Sequence, residues 1–134
     1  MDTTPAAKMI WPCLNYRDAH AAIGFLTDAF GFVTTEVVEG GPDRPVAHAE
    51  LRWPEGGGVM LGSASGDGNE FERLPTGTSS VYVVTDEPDA LYARATHAGA
   101  TVVQGLNDTD YGSRGFTVSD PEGNLWSFGT YRGA

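Results

Sequence analysis

Residues 120–126 read Asp-Pro-Glu-Gly-Asn-Leu-Trp, a proline and glycine turn that leads into an apolar run. A shorter copy, Pro54-Glu55-Gly56, stands 67 residues earlier, as the positions of Pro54 and Pro121 show. Proline and glycine this close together are typical of a turn between two strands. A turn that recurs along the chain indicates one supersecondary unit used twice.

Two helical segments repeat at nearly the same offset as the turns. Asp18 and Gly31 bracket the first segment, Asp86 and Gly99 bracket the second, and the two members of each pair are thirteen residues apart. Apolar residues recur every three or four positions inside both segments, which is typical of an amphipathic helix. Aspartate is a favoured N-cap and glycine a favoured C-terminal stop. Because Asp18 and Asp86 are 68 residues apart, helices and turns together predict an internal duplication.

Each predicted helix is preceded by one extended segment and followed by three. We therefore predict an α+β fold in which two βαβββ repeats form a curved mixed sheet around a cavity. Residues 1–134 make a single domain, because a chain of this length is too short for two ordinary ones. Repeat one spans about 8–63, a linker spans 64–77, and repeat two spans about 78–131. The predicted strands are 9–16, 32–38, 46–53 and 58–63, then 79–85, 101–106, 115–119 and 124–130.

Charge and composition narrow the classes of partner. Eight basic against eighteen acidic residues give a net charge of −10, which disfavours nucleic acid and anionic membranes and favours cationic small molecules. The single cysteine excludes an intramolecular disulfide and fits a reducing compartment. We find no signal-peptide pattern and no run long enough to cross a bilayer. The expected location is the cytoplasm.

The duplicated helix and the Asp120-to-Trp126 turn resemble the vicinal oxygen chelate superfamily, which includes glyoxalases, extradiol dioxygenases and bleomycin resistance proteins. The resemblance covers nearly the whole chain and implies the fold predicted above. It does not imply one activity, because this fold carries several.

The resemblance also implies where a divalent metal would be bound. Family enzymes use the first and last strand of each half, at positions that correspond here to Trp11, Met60, Ser79 and Ser127. Ser80 replaces Ser79 if the register is shifted by one residue. Catalytic divalent metals need carboxylates, imidazoles or thiolates at short distance. An indole, a thioether and two hydroxyls do not supply them, so no metal and no other cofactor is expected. An aromatic ring at Trp11 would instead offer a stacking or cation–π surface.

Other candidate residues have both a functional and a structural interpretation. His48 and Glu50 alternate with apolar neighbours on one strand, so they share a face, as an acid–base pair or as a solvated surface. Cys13 is expected to face the same way as Trp11, as a small pocket-lining residue more than a reactive thiol. Arg114 could bind a ligand carboxylate or pair with acidic side chains, and Tyr111 lies in the same loop. The histidines at 20 and 97 are expected in solvent, and Trp126 and Phe128 in the core.

The function that these observations favour is metal-independent binding of a small molecule, antibiotic-like or a cationic or aromatic metabolite, which the protein would sequester. The predicted ligand-binding residues are Trp11, Cys13, His48, Glu50, Met60, Ser79, Tyr111, Arg114 and Ser127, with no catalytic residue assigned. Within the superfamily the chain is most similar to the metal-free bleomycin resistance branch. Members of that branch are dimers, so the resemblance implies a homodimer with grooves made by both subunits. One alternative is a glyoxalase-type lyase or isomerase that uses His48 and Glu50 or an unplaced metal. Another is a module that only dimerises or binds a protein.

Overall fold

Two four-stranded sheets, one from each half of the chain, carry the structure. It is a computed structural model that describes residues 10–64 and 74–134. The first half contains β1 (Cys13–Tyr16), α1 (Ala19–Phe25) with a π-helical continuation (Leu26–Phe30), β2 (Val33–Glu39), β3 (Val46–Arg52) and β4 (Gly58–Ser63). The second half contains β5 (Ser80–Val84), α2 (Pro88–His97), β6 (Thr101–Asp108), β7 (Arg114–Ser119) and β8 (Leu125–Gly129).

Both sheets have the same topology, which confirms the α+β fold with two βαβββ repeats. The strand orders are β1-β4-β3-β2 and β5-β8-β7-β6. In each sheet the first strand runs parallel to the fourth, and the remaining pairs are antiparallel. The eight strands therefore form two mixed sheets, where the sequence had suggested one curved sheet. No described helix is long and apolar enough to span a membrane.

The helices differ from the prediction at two points. Asp18 caps α1 by accepting a hydrogen bond from the backbone N–H of Ala21, and Gly31 ends the helical segment at a φ of 88°, as expected. The last part of this helical segment, Leu26–Phe30, is however π-helical, a geometry that the sequence periodicity had not indicated. Asp86 is not the N-cap of α2, because that position is taken by Glu87 and the Asp86 carboxylate bonds Arg132.

The described β1 begins at Cys13, four residues later than predicted. Residue 9 lies outside the described part of the chain, and Trp11 lies before the strand. Most of the predicted linker, residues 65–73, also falls outside the described residues. The other strands lie within two residues of their predicted positions.

A shared apolar core joins the helix-facing sides of the two sheets. The Phe30 ring, from the first half, lies 5.4 Å from the Trp126 ring and 4.7 Å from the Phe128 ring. Trp126 and Phe128 are 0% and 1% exposed, so their assignment to the core is confirmed. Aromatic pairs at such separations stabilise the fold by more than the burial of their apolar area alone. Because the inner sides of the sheets meet in this core, their other sides point away from it.

Carboxylates of the two turns connect each half to the other. Glu122 accepts hydrogen bonds from the backbone N–H groups of Arg17 and Asp18, at 2.7 and 2.9 Å. Glu55, at the equivalent turn, accepts one from the backbone N–H of Asp86 at 3.3 Å. Each turn thus bonds the chain where it enters the helix of the other half.

Candidate functional site

The outward side of the first sheet, here called the first-half face, carries four of the predicted site residues. Along β1, β3 and β4, buried residues alternate with Cys13, His48, Glu50 and Met60, which are exposed or half-buried. Strand register places Cys13 beside Met60 and Met60 beside Glu50. Because side chains on alternate positions share one side of a sheet, these four face away from the core.

A cavity of about 170 Å³ lies on the first-half face. Cys13, His48 and Met60 line it, together with Arg44 from the loop between β2 and β3. The His48 Nε2 and Glu50 Oε2 atoms are 2.8 Å apart, so the two side chains share a face, as the alternation predicted. The cavity thus combines a thiol, a thioether, an imidazole and a guanidinium.

Trp11 lies at the end of the first-half face and does not line this cavity. A side chain on Gly58 would come within 2.9 Å of the Trp11 Cζ3 atom, so the indole covers that glycine. The sequence had predicted this ring as a ligand-binding residue at one of the family's metal positions. Because the chain reaches β1 only at Cys13, the indole lies two residues before the strand, half-buried against β4.

The outward side of the second sheet, here called the second-half face, has a different chemistry. Its cavity of about 220 Å³ is lined by neutral polar and aromatic residues, and no charged residue of the described part of the chain is among them. The Ser127 and Thr117 hydroxyls are 2.8 Å apart on neighbouring strands, and the Tyr82 hydroxyl donates to the Tyr131 carbonyl at 2.7 Å. The residues that line it are Tyr82, Gln104, Asn107, Thr109, Tyr111, Ser113, Gly115, Phe116, Thr117, Ser127, Phe128 and Gly129. The rings of Phe116 and Phe128 themselves belong to the buried core.

Ser79 does not belong to the second-half face. It precedes β5, and its backbone N–H donates to the Asn124 side-chain carbonyl. Strand register pairs Tyr82 with Ser127, so Ser80 and Tyr82 carry the face and Ser79 has the parity of the core-facing residues. The prediction was displaced by one residue, and a one-residue shift moves a side chain to the opposite side of a sheet.

The four positions that the family uses for a metal do not converge within this chain. Met60 lies on the first-half face and Ser127 on the second-half face, while Trp11 and Ser79 line neither cavity. No three His, Cys, Asp or Glu side chains in the described part of the chain are placed to hold a metal ion. A thioether and a hydroxyl that is already bonded to Thr117 do not fit a divalent metal of the family type.

Arg114 is held by carboxylates of its own chain. Its Nε and Nη2 atoms bond the two carboxylate oxygens of Asp89 at 2.8 and 3.1 Å, and Nη1 bonds Asp108 at 3.1 Å. The hydrogen bond with Asp89 raises the pKa of Arg114 and lowers that of Asp89. The sequence left open whether Arg114 binds a ligand carboxylate or pairs with acidic side chains. In the structure it pairs with acidic side chains.

Two other expectations concern exposed or loop residues. Tyr111 lines the cavity of the second-half face, and its ring lies 5.5 Å from that of Tyr131. His20 is exposed, with its Nε2 atom 3.1 Å from Glu39 Oε2, and His97 is exposed at the end of α2. Neither histidine lines a described cavity.

A third cavity, of about 280 Å³, lies between the halves and shares Tyr82 with the cavity of the second-half face. Trp53 and Phe32 line it from the first half, and residues 81–84 line it from the second. The Trp53 indole N–H donates to the Val84 carbonyl at 2.9 Å, which fixes one wall.

Sequence reasoning missed Arg44 and Tyr82. A signal for Tyr82 was present, because it alternates with the flanking Val81 and Val83 along β5. Arg44 lies in a loop between strands. The alternation of side chains along a strand does not extend into a loop, so only the structure shows that its guanidinium lies over the sheet.

The chain is similar to known proteins over most of its length. The family model for the Glyoxalase/Bleomycin resistance protein/Dioxygenase superfamily matches residues 8–128. An uncharacterized protein of Mycobacterium bovis is 37% identical over 123 residues, which cover 88% of this chain and 80% of the relative. The crystal structure of TioX from Micromonospora sp. ML1 is 31% identical with a TM-score of 0.75, over 92% of this chain and 98% of TioX. A superfamily member from Sphaerobacter thermophilus, 20% identical with a TM-score of 0.69 over 92% and 97% of the two chains, shows the fold alone.

Proposed function

The chain belongs to the glyoxalase/bleomycin resistance protein/dioxygenase superfamily, and on that premise we propose that it binds and sequesters a small molecule without a metal. One observation carries the proposal: the helix-facing sides of both sheets meet in one core, while both outward faces keep a cavity. Concave, partly apolar surfaces with a few polar groups are typical of small-molecule sites.

Each face alone is a shallow site. Cavities of about 170 and 220 Å³ are smaller than the usual range for drug-sized ligands, roughly 300–1,000 Å³. A homodimer would solve this, because the first-half face of one subunit could cover the second-half face of its partner. Two equal composite sites would result from the two-fold symmetry. The ligand would contact the sulfur and charged groups of one subunit and the tyrosines of the other.

Calorimetry or native mass spectrometry against aromatic natural products, with cationic, neutral and anionic members, tests the binding. Met60→Trp and Thr117→Trp each fill one face, and Asp28→Trp, in the π-helical segment away from both cavities, is the control. Composite sites predict that both filled variants lose binding and that Asp28→Trp keeps it. Unchanged binding by both filled variants would overturn the proposed sites.

Mixing the two filled variants tests the dimer directly. In a mixed dimer, one composite site contains both added indoles, and the other combines the two unmodified faces. The mixture is therefore expected to recover up to one ligand per mixed dimer, although neither parent binds. If each face bound its ligand alone, neither parent would lose all binding, and mixing would restore nothing.

An enzyme of the same superfamily is the second candidate, favoured by one observation. The His48 imidazole and the Glu50 carboxylate are 2.8 Å apart, and His48 lines the cavity. A carboxylate that orients an imidazole is a common general-base arrangement. Chemical change of a bound compound, lost in both His48→Gln and Glu50→Gln, would replace sequestration by catalysis. Recovery of every bound compound intact supports sequestration.

A further inference from the structure

The guanidinium of Arg44 lies over the first-half face at Gly62. A Cβ atom added to Gly62 would be 3.6 Å from the Arg44 Nη2 atom and 3.1 Å from the Ala47 carbonyl oxygen. The missing side chain at Gly62 therefore leaves the space that the guanidinium approaches. Arg44 lines the same cavity as Cys13 and His48.

The loop that carries Arg44 is fixed by its own backbone. The Arg44 N–H donates to the Gly41 carbonyl, and the Gly40 N–H donates to the Pro45 carbonyl, both at 3.0 Å. A side chain on Gly40 would come within 2.0 Å of the Arg44 carbonyl oxygen, so this tight turn requires glycine. The backbone of Arg44 is thus positioned before any ligand arrives.

Arg44 and Arg52 differ from the other arginines in the described part of the chain. Arg17, Arg114 and Arg132 form ion pairs with carboxylates, and Arg94 bonds two backbone carbonyls. Arg44 and Arg52 have no such partner among the described residues. By strand parity, Arg52 points to the first-half face, beside His48 and Glu50. Both unpaired guanidinium groups therefore belong to one face of a protein with a net charge of −10.

We infer that Arg44 binds a monoanionic group, a carboxylate or sulfonate, of the ligand that occupies the first-half face. The inference rests on the proposed function and adds to it the sign of the charge on the part of the ligand that lies at the first-half face. A planar guanidinium suits a carboxylate because it can donate two parallel hydrogen bonds. Glu50, on the same face, repels a second negative charge, which favours a monoanion over a dianion such as phosphate. The net charge of the whole chain had suggested a cation, but the cavity is governed by its nearest charges.

Cys13 provides a probe of this local charge. It is the one cysteine of the chain, it is exposed, and it lines the cavity with Arg44. Iodoacetate and iodoacetamide alkylate the same thiolate with loss of iodide, and only iodoacetate is charged. Their rate ratio cancels effects of Cys13 exposure and ionisation, so it reports the potential at the cavity.

Arg44→Gln is expected to lower the iodoacetate-to-iodoacetamide ratio by about two- to fourfold at low salt, and less at high salt. Arg17→Gln, the control, removes the same charge from a side chain that is paired with Glu122 and is not among the residues that line the cavity, so it should leave the ratio nearly unchanged. Equal unfolding midpoints would show that both variants fold. An equal ratio in wild type and Arg44→Gln would overturn the inference.

A second experiment, in which a ligand is added, distinguishes failure of this inference from failure of the proposed function. A naphthalene carboxylate should slow the reaction of Cys13 with iodoacetamide in the wild type and lose at least half of that protection in Arg44→Gln. The matching naphthalene carboxamide should protect both proteins equally. Equal protection of Cys13 by the acid and the amide would contradict the anionic subsite but would still support small-molecule binding. If Arg44→Gln changed the alkylation ratio but no compound bound at either face, the positive potential from Arg44 would be supported and the proposed function would be contradicted.

Discussion

The Tyr16 hydroxyl donates a hydrogen bond to Asp120 Oδ2 at 2.7 Å, from the end of β1 to the turn before β8. The same carboxylate accepts hydrogen bonds from the Asn124 amide and the Trp126 indole. Tyr16 and Asp120 are 1% and 5% exposed, so this network joins the two halves out of contact with solvent. The aspartate that opens the fold-determining turn is therefore also a connection between the repeats.

Tyr16→Phe should lower the free energy of unfolding at pH 7 by about 1–2 kcal/mol, because a buried hydrogen bond to a carboxylate is lost. Urea denaturation followed by tryptophan fluorescence measures the difference. The substitution keeps the aromatic ring and its packing, so native circular dichroism should not change. A loss below about 0.3 kcal/mol would show that the hydroxyl contributes little to the contact between the halves.

The stability gap between wild type and Tyr16→Phe should depend on pH only under alkaline conditions. Burial, and then the Asp120 charge, raises the pKa of Tyr16 above its ordinary value of 10.0. Below pH 10 the tyrosine is protonated in both the folded and unfolded states, so the gap is constant. Above pH 10 only the unfolded state ionises, so wild type loses stability by up to about 1.4 kcal/mol per pH unit relative to the variant. Denaturation at pH 8, 9.5, 10.5 and 11 checks this, and a gap that stays constant to pH 11 would contradict it.

Glu122→Ala should destabilise the protein more than Glu55→Ala. Glu122 is bonded to two backbone N–H groups at 2.7 and 2.9 Å, and Glu55 to one at 3.3 Å. We expect a loss of about 1–3 kcal/mol for Glu122→Ala, because two N–H groups lose a charged acceptor. The same denaturation assay compares the variants. Equal losses would mean that the two connections are energetically equivalent despite their different geometry.

The repeat could be predicted from the sequence because its signals are local. Pro54 and Pro121 mark the two turns, and the alternation around His48 and Glu50 correctly assigned them to one face. The bonds from Glu122 to Arg17 and Asp18 could not be predicted, since they join residues more than a hundred positions apart. The directions of the two faces depend on the same long-range packing. That packing also explains why four positions expected around one cavity lie on separate parts of the molecule.

Arg114→Gln should leave ligand binding at the second-half face unchanged. Arg114 is bonded to Asp89 and Asp108 and is not among the residues that line that cavity. Exposed ion pairs contribute little to stability, so the unfolding midpoint should also stay nearly constant. Tyr82→Ala, which removes a lining ring, should instead weaken binding of an aromatic ligand. Calorimetry with any ligand found by the screen compares the two variants. Weaker binding by Arg114→Gln than by Tyr82→Ala would show that Arg114 releases its carboxylates to meet the ligand.

Two glycine-to-alanine substitutions should change stability in opposite directions. A Cβ atom on Gly115, in β7, would stand 2.1 Å from the Phe128 carbonyl oxygen, so the two strands would have to separate. Gly115→Ala is therefore expected to cost about 2 kcal/mol or more. A Cβ atom on Gly24, in α1, meets nothing within 4 Å, and its backbone is helical. Gly24→Ala should stabilise the protein by about 0.5–1 kcal/mol through helix propensity. Because Gly115 also lines the second-half cavity, its alanine variant should bind ligand less well, while Gly24→Ala should bind as wild type does. Wild-type stability of Gly115→Ala would show that β7 and β8 lie farther apart than the structure places them.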